Sequence, residues 1–124
     1  MGEIYCLYSS EDGVPRYVGA AEGSADKSWK KHITDALDLV SGSLYDWMRD
    51  IARRGHYVGL HVLQSGIIPT EVDFYERYWV SQFPGLFNTH ADSKPLSDPT
   101  DVAINVISVI KSKLATQHSE NEKP

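Results

Sequence analysis

Two short apolar runs joined by a turn constrain the fold of this chain more than any other feature. Residues 3–9 (EIYCLYS) and 16–20 (RYVGA) are rich in aromatic and β-branched side chains, which favour strands. The segment between them, SEDGVP, contains the pair Asp12-Gly13. Because Asp-Gly between two apolar runs is a strong β-hairpin signal, the sequence predicts that the chain begins with two paired antiparallel strands.

Alternation along these strands predicts which side chains share a face of the sheet. Tyr5 of the first strand and Tyr17 of the second are expected on one face, where Gly19 leaves open space beside them. Two tyrosines on a sheet are usually packing residues, so this pair by itself identifies no site. The opposite face is predicted to carry Ile4, Cys6, Tyr8 and Val18.

After Ser24 the apolar residues recur with a helical period. The first stripe consists of Trp29, Ile33, Leu37 and Val40. The second stripe consists of Leu44, Trp47, Met48 and Ile51. The break Ser41-Gly42-Ser43 separates the two predicted helices, and Gly55 is expected to end the second.

The second half of the chain predicts one more strand and two more helices. Residues 57–63 (YVGLHVL) are expected to form the strand, and residues 70–82 a helix that Pro84-Gly85 stops. Asp98-Pro99 predicts the N-cap and first turn of a last helix, and the polar residues 117–124 are expected to be disordered. The predicted order is therefore β-β-α-α-β-α followed by an added helix.

Length and composition are those of one ordinary globular domain. The chain has 124 residues, of which 41% are hydrophobic and 23% charged. It contains no apolar run near the ~20 residues that span a bilayer and no signal-peptide pattern, so we expect a cytoplasmic protein without a membrane partner. Cys6 is the single cysteine, which excludes a disulfide framework and a thiolate zinc cage and fits a buried, inert thiol.

The charge distribution leaves two interpretations open. The net charge is −5, whereas nucleic-acid binders usually carry a basic face that neutralises phosphates. Positive charge is nevertheless clustered locally. These clusters are either phosphate-binding surfaces or ordinary solvated helix faces, and they comprise Lys27, Lys30, Lys31, Arg49, Arg53 and Arg54.

Glu76 is the most unusual residue of the third predicted helix. It lies in the middle of an apolar stripe formed by Val72, Tyr75, Trp79, Val80 and Phe83. A carboxylate on such a stripe is costly to bury unless it is paired or bound to a cation. The sequence therefore predicts either an ion pair with a nearby Arg or Lys, or a ligand for magnesium, which keeps most of its own water.

His32 is the second unusual residue, at the edge of the stripe of the first helix. Ser28 lies one turn before it on the same helical face, and Asp35 follows it at i+3. A histidine in this position is usually structural, and the pair with Asp35 has too few ligands for a metal site. The sequence has no Gly-x-Ser-x-Gly elbow, phosphate-cradling glycine-rich loop or dinucleotide fingerprint, so nucleophilic and nucleotide-dependent chemistry find no support.

In their order and spacing, five short motifs together resemble the GIY-YIG nuclease superfamily. They are Glu3-Ile4-Tyr5, with Glu where the family usually has Gly, Tyr17-Val18-Gly19, the stretch SWKKH that ends at His32, residues 76–80 (ERYWV), and Phe87-Asn88. The resemblance covers about residues 3–90. It implies an α+β fold with a small three-stranded antiparallel sheet flanked by helices. Residues 1–97 would form this domain, with the helix at 98–116 packed on it.

The resemblance also implies a chemistry, the metal-dependent hydrolysis of DNA phosphodiester bonds. Glu76 would hold one divalent metal, Mg²⁺ or Mn²⁺, and Tyr5 or Tyr17 would help to deprotonate the attacking water. His32 and Asn88 would be supporting residues, and Gly19 would allow a close approach of the backbone. The chain would act on DNA as a monomer or a homodimer.

One departure from the family affects this expectation directly. The family arginine should stand four residues before His32, where this chain has Ser28. An arginine that stabilises phosphoryl-transfer charge is worth about 10³–10⁵ in rate. Lys27 and Lys31 lie off that helical face, whereas Arg16 could replace the arginine if the tertiary structure permits, as could Arg53 or Arg54. The sequence thus predicts either an endonuclease, with full or weakened activity, or an inactive module that binds nucleic acid or protein.

Candidate phosphate-binding residues follow from the same considerations. Arg16 precedes the second tyrosine, and Lys30 and Lys31 belong to the SWKKH stretch. We expect these three cations to contact the DNA backbone. The added C-terminal helix is expected to cap the sheet or to form a dimer face.

Overall fold

A computed structural model describes residues 1–87 and 98–121, with side chains described to residue 116, and it has an α+β architecture. The sheet has three antiparallel strands in the order β2-β1-β3. The strands are β1 (Gly2–Ser9), β2 (Pro15–Glu22) and β3 (Val58–Ile67). The helices are α1 (Ala25–Leu37), α2 (Ser43–Arg53), α3 (Val72–Val80), which follows a 3₁₀ turn at Pro69–Glu71, and α4 (Asp101–Asn121). The predicted fold class and element order are confirmed.

The first hairpin forms as the sequence indicates. Gly13 adopts a φ of +71°, a left-handed conformation that favours glycine, and Asp12 Oδ1 accepts a hydrogen bond from the Val14 N–H at 2.9 Å. A β-bulge lies between Leu7 and Tyr8. The turn also meets the last helix, since a Cβ at Gly13 would lie 3.3 Å from the Ile110 side chain.

The sheet has a core on each face, because successive side chains of β1 point to opposite sides. One core contains Ile4, Cys6, Tyr8 and Val18 of the sheet. They pack with Val80 at the end of α3, with Phe83 just beyond it, and with Ala103 and Ile110 of α4. The other joins Tyr5 and Leu7 to α1 and α2 through Ala25, Ala36, Leu44, Met48 and Ile51. The predicted assignment of side chains to the two faces is confirmed, and α4 contributes Ala103 and Ile110 to the first core.

Burial at these positions supplies much of the driving force for folding. Ile4, Leu7, Ile51 and Ile110 are each 1% exposed or less, and complete burial of such a side chain stabilises the fold by about 1.5–3 kcal/mol. Cys6 is buried among them, and this burial raises the pKa of its thiol to about 12. The expectation of a buried, inert thiol is therefore supported.

Two boundaries in the first half of the chain differ from the prediction. The helix α1 ends at Leu37, whose side chain is 77% exposed, and Val40 lies beyond the helix, so neither residue continues the apolar stripe. Leu39 has a φ of +63°, which turns the chain away from the helical path. Strand β3 runs to Ile67, because the predicted break at Ser65-Gly66 lies within the ladder with β1.

The limits of α4 also differ from the prediction. Thr100, and not Asp98, caps the helix, since its Oγ1 accepts a hydrogen bond from the Ala103 N–H at 3.2 Å. The helix continues to Asn121, so residues 117–121 of the segment expected to be disordered belong to it. Across the described ranges, no helix is both long and apolar enough to cross a bilayer.

Candidate functional site

Tyr5 and Gly19 face each other across the β1–β2 ladder, and this pairing builds the base of the candidate site. A Cβ at Gly19 would lie 2.6 Å from the Tyr5 hydroxyl oxygen and 2.9 Å from Cε1 of Tyr17. The space that a side chain would occupy here is therefore filled by the two tyrosine rings. Their centroids are 6.3 Å apart. Glycine is required because any larger residue would displace the Tyr5 ring.

His32 reaches this pair of rings from α1. Its Nε2 lies 3.0 Å from the Tyr5 hydroxyl oxygen, and its ring meets the Tyr17 ring edge-on with centroids 5.1 Å apart. The histidine is half-buried. Burial lowers its pKa from the usual value, opposed by the nearby carboxylate of Asp35, so the imidazole is neutral near pH 7. A neutral imidazole beside a phenol can accept its proton.

The first turn of α1 is held to the sheet by two caps. Ser24 Oγ accepts a hydrogen bond from the Asp26 N–H, and Glu3 Oε1 accepts one from the Ala25 N–H at 2.7 Å. A carboxylate is also favourable at the positive end of a helix dipole. Glu3 stands where the family has Gly, so this departure has a structural role that the sequence did not reveal: it fixes the helix that carries His32.

Ser28 lies on the same face of α1 as His32. Its side chain hydrogen-bonds to the Tyr5 hydroxyl and thereby lowers the pKa of Tyr5. Burial and the neighbouring Tyr17 outweigh this effect, so the pKa of Tyr5 is raised well above its usual value. The residue at the position of the family arginine therefore contacts the expected general base, but as a neutral hydrogen-bonding partner.

Glu76 lies on α3 and is half-buried. Both α1 and α3 contact the edge strand β2, from opposite faces of the sheet. Burial first, and then the negative charge of Glu76, raise the pKa of Tyr17, and the same charge contributes to the raised pKa of Tyr5. The structure thus brings Glu76 into electrostatic range of both tyrosines.

The chemistry of these groups fits a hard divalent cation. Carboxylate and hydroxyl oxygens are the ligand types that Mg²⁺ and Mn²⁺ take in proteins. Within residues 1–87 and 98–121, no three His, Cys, Asp or Glu side chains form a metal-binding group. Magnesium bound by one protein carboxylate normally completes its coordination with water and substrate oxygens.

Tyr45 and Asp35 extend the site away from the tyrosines, and the sequence did not single out Tyr45. The Tyr45 hydroxyl lies 3.4 Å from His32 Nδ1 and donates a hydrogen bond to Asp35 Oδ2 at 3.4 Å. Asp35 also binds Lys31 Nζ at 3.0 Å. Tyr45 belongs to α2, so only the packing of α2 on α1 brings it to His32.

The expected phosphate-binding residues are all exposed or half-exposed, and each has a partner within the protein. Arg16 Nε donates to the Gly85 carbonyl at 2.9 Å, and its guanidinium lies 4.8 Å from the Phe87 ring centroid. Lys30 Nζ lies 3.5 Å from Asp26 Oδ2, and Lys31 Nζ lies 3.0 Å from Asp35 Oδ2. These pairs are exposed i,i+4 contacts, which contribute little and exchange readily.

Two further arginines have structural roles. Arg49 donates hydrogen bonds to the carbonyls of Ala36 and Val40, near the C-terminus of α1. Arg54 forms ion pairs with Glu11 and Asp50. In this structure the Arg54 guanidinium is therefore engaged by these two carboxylates.

The structure therefore brings four of the predicted site residues into one cluster, Tyr5, Tyr17, Gly19 and His32, and places Glu76 in electrostatic range of both tyrosines. Asn88 lies outside the described residues. Comparisons with protein-family models, with curated proteins and with solved structures found no match. The resemblance to the GIY-YIG superfamily thus remains a prediction made from the motifs of the sequence.

Proposed function

We propose that this chain is a GIY-YIG-type, metal-dependent endonuclease that hydrolyses DNA phosphodiester bonds. The observation that carries the proposal is the contact of His32 with both Tyr5 and Tyr17, in the electrostatic field of Glu76. These residues come from four motifs far apart in the sequence, on β1, β2, α1 and α3. A packing role alone gives no reason for a neutral imidazole to contact two phenols within the field of a carboxylate.

The protonation state of each residue determines its role in the proposed reaction. Tyr5 and Tyr17 are protonated near neutral pH, because burial and the charge of Glu76 raise the pKa of each. A bound divalent cation would supply positive charge to the scissile phosphate and would oppose the effect of Glu76 on the phenols. His32 accepts the proton of Tyr5, and Tyr5 in turn takes a proton from the attacking water.

A second function, an inactive module that binds nucleic acid or protein, is favoured by one specific observation. Ser28 gives Tyr5 a neutral hydrogen bond where the family supplies a guanidinium. Without that charge, about 4–7 kcal/mol of barrier lowering would have to come from elsewhere. The net charge of −5 points in the same direction.

Cleavage of supercoiled DNA with Mg²⁺ or Mn²⁺ tests the first function. We expect metal-dependent nicking by the wild type. Glu76→Ala should lose about 10²-fold or more of this activity, because the carboxylate that would hold the metal ion at the phosphate is gone. Glu71→Ala, which removes an exposed carboxylate just before α3, is the matched control and should cleave like the wild type. Nicking that is equal in the wild type and in Glu76→Ala would reject the endonuclease proposal.

Ser28→Arg separates the two functions. If the chain is a weakened endonuclease, restoring the family residue should raise the cleavage rate toward the ~10³-fold contribution of such an arginine. Thr34→Arg, which adds the same charge at an exposed position of α1, controls for a general gain in DNA affinity. Cleavage that appears only in Ser28→Arg would identify the natural chain as the inactive module.

A further inference from the structure

A continuous line of polar contacts leads from Tyr5 to the protein surface. It passes from the Tyr5 hydroxyl to His32 Nε2 at 3.0 Å, and from His32 Nδ1 to the Tyr45 hydroxyl at 3.4 Å. Tyr45 then contacts Asp35 Oδ2 at 3.4 Å, and the same oxygen binds the exposed Lys31 at 3.0 Å. Tyr5 is buried, the next three members are half-buried and Lys31 is exposed, so the line connects the interior of the site with solvent.

The direction of each hydrogen bond in this line follows from the Asp35 carboxylate, which can only accept. An ionised carboxylate only accepts hydrogen bonds, so Tyr45 must donate its hydroxyl proton to Asp35. The Tyr45 oxygen is then available to accept from His32 Nδ1. A neutral imidazole carries one N–H, and with that proton on Nδ1 the Nε2 atom is an acceptor. It can then accept from Tyr5, whose hydroxyl oxygen lies 3.0 Å away.

The charged and titratable groups around His32 agree with this arrangement. Asp35 and Lys31 of α1 act on its charge in opposite directions. Tyr45 approaches from α2, and Tyr5 and Tyr17 from the sheet. Because burial, and to a smaller extent Lys31, lower the pKa of His32 against the effect of Asp35, the histidine is neutral near pH 7, and Asp35 still determines the direction of the hydrogen bonds.

We propose that Tyr45 and Asp35 are positioning residues that hold His32 in its Nδ1–H tautomer, so that Nε2 is free to accept the proton of Tyr5. The catalytic part of this inference rests on the proposed endonuclease function. One proton moves from the attacking water to the Tyr5 oxygen as the Tyr5 proton moves to Nε2. The new P–O bond replaces the bond to the leaving oxygen, which takes a proton from solvent, and His32 then returns its proton to solvent.

The tautomer can be measured without any catalytic activity. We expect ¹H–¹⁵N correlation spectra of the wild type to show a protonated, pyrrole-like Nδ1 and an unprotonated, pyridine-like Nε2 at His32. In Tyr45→Phe the Nδ1 proton loses its acceptor, so the signals should shift toward the Nε2–H form. Tyr57→Phe removes a tyrosine hydroxyl from another part of the surface and should leave the His32 signals unchanged. An Nε2–H tautomer in the wild type, or no response to Tyr45→Phe, would overturn the proposal.

The kinetics of the same variants test the catalytic consequence. Tyr45→Phe should lower kcat by about 10-fold to 100-fold, the usual effect of losing a residue that orients a catalytic group, with little change in KM. Asp35→Asn keeps an oxygen acceptor for Tyr45 but removes the charge that raises the pKa of His32. The acid limb of its pH–rate profile should therefore move to lower pH. An unchanged kcat in Tyr45→Phe and an unmoved acid limb in Asp35→Asn would contradict the role in catalysis.

The two proposals fail in different ways. If the wild type shows the Nδ1–H tautomer but cleaves no DNA with either metal, the endonuclease function is wrong and the positioning of His32 by Tyr45 is supported. If the wild type cleaves DNA and the tautomer does not respond to Tyr45→Phe, the endonuclease function is supported and the positioning role is wrong.

Discussion

Tyr5 and Tyr8 lie on the same strand, and each ring packs over a glycine of the neighbouring strand, on opposite faces of the sheet. Tyr5 covers Gly19 of β2, and Tyr8 covers Gly59 of β3. In both cases a Cβ on the glycine would overlap the end of the tyrosine ring. Both tyrosines are buried, and burial is the largest cause of the raised pKa of each.

The two tyrosines differ in what surrounds their hydroxyl groups. The Tyr5 hydroxyl contacts His32 and Ser28 of α1 and lies in the field of Glu76. The groups that act on the pKa of Tyr8 after burial are a phenol and a thiol, Tyr57 and Cys6. A tyrosine ring over a cross-strand glycine is therefore a packing arrangement, and it becomes a candidate active site only where a helix brings a proton acceptor to it.

Removing the two hydroxyl groups in turn should give the largest difference. Tyr5→Phe should lower DNA cleavage by about 10²–10⁴-fold, because the group that exchanges protons with water and His32 is lost. Tyr8→Phe is the matched control on the same strand and should cleave at nearly the wild-type rate. The measurement is single-turnover nicking of supercoiled DNA with saturating Mg²⁺. Equal losses in both variants would show that the comparison of the two sites is wrong.

Filling the two glycines should affect stability on both faces and activity on one. Gly19→Ala and Gly59→Ala each force a buried tyrosine ring to move, and such overpacking costs about 1–3 kcal/mol. Gly19→Ala also disturbs the contact between Tyr5 and His32, so it should reduce cleavage in conditions where both variants are folded. Urea denaturation gives the free energy of unfolding of each. The prediction would be contradicted if Gly59→Ala lost as much activity as Gly19→Ala.

The smallest expected effect concerns two histidines on opposite faces. Burial lowers the pKa of both, and nearby charges act differently: Asp35 opposes the shift at His32, whereas Lys113, 3.1 Å from His61 Nδ1, adds to it at His61. A histidine in the unfolded chain titrates near 6.5, above both folded values, so the unfolded state binds more protons as pH falls. The free energy of unfolding should therefore decrease as the pH falls through about 6.5.

Lys113→Gln should raise the pKa of His61 and weaken this loss of stability, because it removes the nearby positive charge. The pKa of each histidine can be followed by NMR titration, and the pH dependence of unfolding by urea denaturation. Lys111→Gln, on the same helix, is the matched control and should leave His61 unchanged. A pKa of His61 that does not rise in Lys113→Gln would show that Lys113 has no part in the shift.

The elements of the fold were predictable where a local signal specifies them. Asp12-Gly13 predicted the hairpin, and alternation assigned Tyr5 and Cys6 to opposite faces, because both depend only on neighbouring residues. The ends of elements were less predictable. Leu37 fits the helical period but is exposed, and Gly66 lies within β3, where its φ of +69° coincides with a shift of register against β1 and does not end the strand.

The sequence predicted residues of the candidate site but not the contacts between them. The sequence singled out Tyr5, Tyr17, Gly19, His32 and Glu76 through motif order and through a carboxylate on an apolar stripe. It gave no reason to include Tyr45, which joins His32 only because α2 packs against α1, or to expect Glu3 to cap α1. Contacts between residues on different elements depend on how those elements pack, and a spacing along one helix carries no information about that.

The sequence by itself determined the hairpin, the order of strands and helices and the residue types available for chemistry, because these depend on local propensity and periodicity. Only the tertiary structure decided which side chains meet: His32 on Tyr5, Ser28 on the same hydroxyl, and Glu76 in range of both tyrosines. It also decided how they ionise. A pKa is set by burial and by neighbouring charges in three dimensions, and these arise only when the sheet and its helices assemble.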